Sequence, residues 1–198
     1  ALLGWSPQGR GGPDREIFSL TELVEHFELG KVQKSGAIFS TDKLNWFNRE
    51  YIKLLSDEEL TTSIARQVRL DSVELSKALP LLRERMITLA DASLLFAPGA
   101  ELSFLHEYIK PSRALLKTTE HLPQVASILG AISESDFNAT QIKTSLWDFA
   151  TEHGRGEVLW PLRVALTGLE RSPDPFTVAA LIGKKESLAR ISYAQTAE

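Results

Sequence analysis

Three short polar signatures constrain this chain more than anything else in it. Ser19-Leu-Thr-Glu22, Ser56-Asp-Glu-Glu59 and Asp71-Ser-Val-Glu74 each set a side-chain acceptor three residues ahead of a Glu. Such an acceptor satisfies an unpaired N–H at a helix start, and the Glu reaches back to the N–H of the capping residue. Behind the first box, Leu20, Leu23, Val24 and Phe27 recur at helical spacing; behind the second, Leu60, Ile64 and Val68 do. The third opens a helix that Pro80 should end, kink or restart. A chain punctuated in this way folds helix after helix.

The pattern continues downstream. Leu82, Met86, Leu89 and Phe96, with the small Ser93 on the same face, form a stripe that Pro98-Gly99 stops. Ser112 caps a segment holding Leu115, Leu116 and Leu122. Ser135-Asp136 opens a helix through Ile142, Leu146 and Phe149 that ends at Gly154, a natural left-handed stop. Helices are then expected over Glu157 to Thr167, closed by Gly168, and over Phe176 to Ile182 and Glu186 to Ala194, split by Gly183. Only Lys34 to Phe39 has a faint strand character, and it reads as loop. The expected fold class is all-α.

Hydrophobic residues at 43% and charged residues at 24% are ordinary for a globular chain. No apolar run reaches the roughly 20 residues needed to span a bilayer. The opening ALLGWSPQGRGG has no basic leader, and it begins inside an apolar run without an initiating Met, so it reads as a cut end of a longer protein. The absence of cysteine excludes disulfides, thiolate catalysis and cysteine-ligated zinc, and it fits a reducing cytoplasm. A net charge of -4 argues against strong non-specific binding to nucleic acid. Any RNA must be held by local basic patches and by shape.

Nothing in the sequence assembles an active site. His26, His106, His121 and His153 are scattered without the i,i+4 pairing of a helical metal site. Asp57, Glu58 and Glu59 lie in a first helical turn, where they complement the helix dipole. Gly183-Lys184 lacks the upstream glycine of a phosphate loop, and Gly9 to Gly12 lacks a preceding strand. Asn138-Ala-Thr140 matches a glycosylation sequon that has no meaning in a non-secreted protein.

The stretch Gly156 to Lys184, GEVLWPLRVALTGLERSPDPFTVAALIGK, sets one arginine on a short apolar helix before a Ser-Pro-x-Pro-Phe turn. A guanidinium held beside an aromatic ring on a proline-stiffened loop suits an unstacked base: the ring stacks and the guanidinium donates to base edges. This stretch resembles the C-terminal end of bacterial-type glutamyl-tRNA synthetases, whose pattern runs PLRxALTG, SPxPF, LGKE. The resemblance extends over nearly the whole chain. LLGWSP, REIFSLTEL, KLNWFNREYI (Lys43 to Ile52), LLRERMITL, PLRVALTG (Pro161 to Gly168) and LIGKKESLARI follow in the family's order. The catalytic signatures of the family, a HIGH-type motif and a KMSKS-type lysine loop, do not occur.

The resemblance implies roles that residue type alone does not. Arg163 reads by itself as a surface arginine, and the family's PLR arginine contacts the first anticodon base. Ser172, Pro173, Pro175 and Phe176 read as a turn with a core aromatic, and the matching family loop lines the anticodon pocket. Asp174 adds a negative charge that argues against intimate RNA contact at that one position. Arg85, at the edge of the Leu82, Met86 and Leu89 stripe, matches an arginine that reads the third anticodon base. A guanidinium offers only donors, which suits the acceptor edge of cytosine and separates glutamate tRNAs from glutamine tRNAs, which carry guanine there. Trp46 and Tyr51 are expected in the core, presenting Lys43, Arg49 and Lys53 to backbone phosphates. Trp160 is expected to pack beside Pro161. Lys184 and Lys185 read as phosphate contacts or as a solvated helix start.

The expected architecture is the end of a helical stem-contact region over 1–55, followed by an anticodon-binding cage in two subdomains, 56–130 and 131–198. The expected function is recognition of the tRNA(Glu) anticodon, as part of a cytoplasmic, monomeric glutamate–tRNA ligase that contacts neither membrane nor DNA. The chain itself should not be active, and should need no cofactor, because ATP and magnesium belong to the missing catalytic half. The alternative is a stand-alone helical module that docks a protein partner and no RNA.

Overall fold

A computed structural model describes residues 5, 16–32, 38–68 and 72–196. Among these the regular structure is helical: α1 Leu20–His26, α2 Thr41–Leu54, α3 Asp57–Ala65, α4 Ser72–Arg85, α5 Asp91–Leu95, α6 Arg113–Leu116, α7 Leu122–Ala131, α8 Ala139–Glu152, α9 Arg155–Thr167, α10 Pro175–Ile182 and α11 Lys184–Gln195. Among the described residues extended pairing is limited to one isolated antiparallel bridge between Trp5 and Val32. Ile38 and Phe39 carry no strand, and the rest of that suspected segment, like Asp71, lies outside the described residues.

The local signals act as expected where they are self-contained. Ser19 Oγ accepts from Glu22 N at 3.2 Å while Glu22 Oε2 accepts from Ser19 N at 2.8 Å. Ser56 and Glu59 repeat the exchange at 3.2 and 2.7 Å. Hydrogen bonds from the Ser56 backbone N–H and then from its hydroxyl hold the Glu59 carboxyl below its ordinary value. Gly168, at φ 70°, and Gly183, at φ 83°, close α9 and α10.

One expectation is narrowed and three fail, for stated reasons. Pro80 neither ends nor restarts a helix: α4 runs through it, with Leu75, Ala78, Leu79 and Leu82 buried around the proline. The break comes later, because the Asp91 carboxylate accepts the N–H groups of Ile87 and Thr88, both at 2.8 Å, and folds Met86 to Ala90 into a turn. Of the Leu82 to Phe96 stripe, Leu82 therefore lies in α4 and Ser93 in α5, while Met86 and Leu89 fall between the helices and Phe96 just beyond α5. The helix expected from Ser135 starts at Ala139: Ser133 caps a 3₁₀ turn over Glu134–Asp136, and Asn138 Oδ1 caps α8 from Gln141 N at 3.0 Å. The sequon asparagine is thus a helix cap. Trp46 and Tyr51 are each 40% exposed, and α2 buries Phe47 and Ile52 instead.

The chain forms two compact units, which divide α4 between Ala78 and Leu79. The first comprises Ala1–Ile64 and Leu79–Asp91. In it Arg83 donates to the carbonyls of Ile52 at 2.8 Å and Lys53 at 3.4 Å and pairs with Asp57 at 2.7 Å, tying the end of α2 to α3 and α4. The stripe of α1 is real but contains no buried residue; Leu20 is 78% exposed. The second unit comprises Ala65–Ala78 and Ala92–Glu198. Here α11 lies along α7 and α9, and α10 lies against α8 and α9. Val125, Leu129, Ile142, Leu146, Leu162, Ala165, Val178 and Ile191 fill the space between them. Arg190, 8% exposed, crosses this core to reach the carbonyl of Leu166 at 2.7 Å and that of Phe104 at 3.3 Å, and stacks on the Tyr108 ring at 4.5 Å. A buried guanidinium of this kind holds only because backbone acceptors and the Glu186 carboxylate at 2.7 Å surround it.

Candidate nucleic-acid interface

Helix α9 is buried on most sides: Val158, Pro161, Leu162 and the run Val164 to Thr167 all face protein. Between Pro161 and Thr167, Arg163 is the one half-buried position. Its guanidinium lies 4.6 Å from the centre of the Trp160 ring and donates to the carbonyls of Glu170 at 2.9 Å and Ser172 at 3.4 Å. Five N–H donors in a planar fork leave capacity for a further acceptor. Trp160 is fixed in turn by an N–H···O bond from its indole to the carbonyl of Leu115 at 2.8 Å. Lys117 stands 4.5 Å from the same ring. Trp160 therefore packs, as expected, and it also carries two cations.

The loop after Gly168 is held at both ends. Arg163 grips the carbonyls of its first half, and Asp174 builds its second half by capping α10. The Asp174 carboxylate accepts from Phe176 N at 3.1 Å, Thr177 N at 3.0 Å and the Thr177 hydroxyl at 2.7 Å. Its charge, which in the sequence argues against RNA, is engaged by the start of the helix. Pro173 and Pro175 are buried, Ser172 is half-buried with its hydroxyl donating to the Pro173 carbonyl at 3.2 Å, and Phe176 is 7% exposed. The structure thus brings Arg163, Ser172, Pro173, Pro175 and Phe176 together in one unit.

The other candidates lie elsewhere. Arg85 belongs to the first unit, exposed at the last position of α4 between buried Leu82 and buried Met86. Beyond it in the chain, Thr88 and Leu89 join Asn48, Tyr51, Ile52 and Leu55 around a groove of about 400 Å3. Lys43 pairs with Glu16, and Lys53 pairs with Glu50 at 2.6 Å; Arg49 is exposed on the same helix. Tyr51 anchors that helix by donating to the Phe18 carbonyl at 2.7 Å. Lys184 opens α11, but its ammonium is bound to the Ile132 carbonyl at 2.6 Å, so it is not a solvated start.

Two features escaped the sequence. Lys117, at φ 65°, is the positive-φ non-glycine among the described residues, and it meets Trp160 from 43 positions away. His121 and His153, read as scattered, have ring centres 5.0 Å apart, with the Phe149 ring 4.5 Å from His153. Neither has a local signal, since the first depends on how α6 packs on α9 and the second on how α7 packs on α8. Among the described residues no group of three or more His, Asp or Glu is placed to hold a metal ion. No helix among them is long and apolar enough to cross a membrane.

A helical body that offers a cation-backed ring beside a stiff, proline-framed loop has the chemistry of an RNA-binding module. The chain belongs to the anticodon-binding domain family, whose sequence model matches residues 41–195. It is 36% identical to the glutamate–tRNA ligase of Clostridium botulinum over 96% of this chain and 41% of that protein. It is 35% identical to the glutamate–tRNA ligase of Azorhizobium caulinodans over 96% of this chain and 42% of that protein. Its fold superposes on the crystal structure of a glutamate tRNA ligase from Elizabethkingia meningosepticum in complex with its amino acid. The TM-score is 0.74 at 29% identity, covering all of this chain and 40% of that one. The chain corresponds to the anticodon-binding domain of glutamate–tRNA ligases and spans about two fifths of their length.

Proposed function

We propose that this chain reads the anticodon of tRNA(Glu) on behalf of a glutamate–tRNA ligase. The observation that carries this reading is the Arg163 guanidinium, stacked on Trp160 and braced against the Glu170 and Ser172 carbonyls. Its remaining donors are held in a fixed plane beside the loop, so base contact costs little ordering. In this reading Arg163 meets the first anticodon base, Arg85 meets the third, and Ser172, Pro173, Pro175 and Phe176 shape the pocket. Lys43, Arg49, Lys53 and Lys184 neutralise backbone phosphates, and the first three must exchange a carboxylate partner or water for phosphate to do so.

The functional division that goes with this reading is a stem-contact segment over 1–55 and two anticodon-binding subdomains over 56–130 and 131–198. Glutamate activation, with its ATP and magnesium, falls to the rest of a monomeric cytoplasmic ligase. The test is binding of the chain to glutamate and glutamine tRNA transcripts across a salt series, with Arg85→Ala and Arg163→Ala alongside. Preference for the glutamate tRNA, lost in both variants, supports the reading. Equal binding of both tRNAs that neither variant changes, or no binding at low salt, overturns it and points to a protein partner.

A further inference from the structure

On α8, Thr140, Lys143, Thr144 and Trp147 fall at i, i+3, i+4 and i+7, so they share one face. The buried face of the helix is a different one, made by Ile142, Leu146 and Ala150. Opposite the polar face stand Asp174, Phe176 and Thr177 at the start of α10, and the two walls enclose a groove of about 470 Å3. That volume lies within the roughly 300–1,000 Å3 of small-molecule clefts. Trp147 is half-buried in it. The Lys143 ammonium lies 5.1 Å and the Arg155 guanidinium 4.4 Å from the centre of the indole ring, and both cations are otherwise exposed.

We propose that this groove is a second nucleotide platform, which takes one unstacked nucleotide of single-stranded RNA flanking the anticodon. Trp147 supplies the stacking surface, and Lys143 and Arg155 meet the phosphate. The proposal rests on the reading of this chain as an anticodon binder. The loop connects the two places: its Ser172 end is held by Arg163, and its Phe176 end lines the groove.

Charge favours this occupant over an acidic or apolar peptide. The chain carries a net charge of -4, so two cations over one half-buried ring form a local exception to its overall field. The carboxylate on the lining, Asp174, has both oxygens engaged by the Phe176 and Thr177 N–H groups and the Thr177 hydroxyl. Lys143 and Arg155 lie over the ring, and a base that takes their place on it releases them to the phosphate; the grip is sequence-tolerant, because every base has a π-face. This site therefore adds affinity and register without adding discrimination.

The test uses the whole chain and a glutamate anticodon stem-loop RNA, intact or with one abasic nucleotide at each position flanking the anticodon. Trp147→Leu is expected to weaken binding of the intact RNA about 10-fold. One abasic position should cost the native chain the same amount and cost Trp147→Leu nothing more. Lys143→Glu with Arg155→Glu, both at exposed positions, should leave the melting temperature unchanged and flatten the salt slope by about one to two units. Native binding in both variants, with Arg163→Ala still defective, overturns the platform and leaves anticodon reading intact. No binding by the native chain at low salt overturns both. If Trp147→Leu also melts early, the charge-reversal variant decides: native affinity there refutes the platform.

Discussion

A Cβ atom on Gly168 would stand 1.8 Å from the carbonyl oxygen of Ile109. The two residues are far apart in sequence, and backbone meets backbone where α9 ends. At φ 70° the glycine is also in the left-handed region that side chains disfavour. Gly168→Ala is therefore expected to destabilise the chain by about 3 kcal/mol or more, read as a drop in thermal midpoint. A midpoint within about a degree of the native value would show that Ile109 moves away freely.

Arg163 has two duties that one conservative change separates. Arg163→Lys keeps the charge but cannot reach two loop carbonyls from a planar fork. Binding of glutamate tRNA is expected to fall about 10-fold or more, with stability reduced by about 1–2 kcal/mol for the lost bonds. Native affinity in the lysine variant would reduce Arg163 to a point charge.

Arg85→Gln replaces a pure donor with a group that both donates and accepts. A glutamine amide can pair with guanine as well as cytosine, so discrimination between glutamate and glutamine tRNAs should shrink. Competition binding with the two transcripts reads this directly, and an unchanged ratio removes Arg85 from the anticodon site.

Arg190 is the charged group of the second unit's core, and its donors end on Leu166, Phe104 and Glu186. Arg190→Met keeps much of the volume but leaves buried carbonyls unpaired. A loss of about 3 kcal/mol is expected by chemical denaturation. The Tyr108 hydroxyl, which burial pushes up to about 12 despite the nearby Arg190, should stay neutral through neutral pH and keep donating to the Ala165 carbonyl at 2.8 Å.

The turn after α4 should depend on pH. Burial alone would raise the Asp91 carboxyl, but hydrogen bonds from Thr88 and Ile87 outweigh it and hold the group below its ordinary value of 3.8. A depressed folded value means the contribution is complete above the unfolded value and is lost as pH falls through the folded one. Asp91→Asn is expected to melt earlier than the native chain at pH 7, with the gap closing below about pH 4. A gap that is constant with pH would remove the carboxylate from the account.

The sequence by itself determined the helical class and the helix starts at Ser19 and Ser56, along with the stops at Gly168 and Gly183, because those signals act within one turn. It also located the Arg163 loop, since PLRVALTG and SPDPF lie within a dozen or so residues of each other. The passage of α4 through Pro80 and the exposure of Trp46 were decided by packing, whereas the Met86 to Ala90 turn and the capping by Asp174 are local, made by N–H groups two to four residues away that residue type alone did not single out. The pairing of Lys117 with Trp160, of His121 with His153 and of Arg190 with Phe104 was decided by packing too. Periodicity says which face of a helix is apolar, not which partner covers it, and a capping acceptor is indistinguishable from a free charge until its N–H donors are in place. Tertiary packing supplies that partner, and so it decided which cations are committed to the fold and which remain presented on exposed faces.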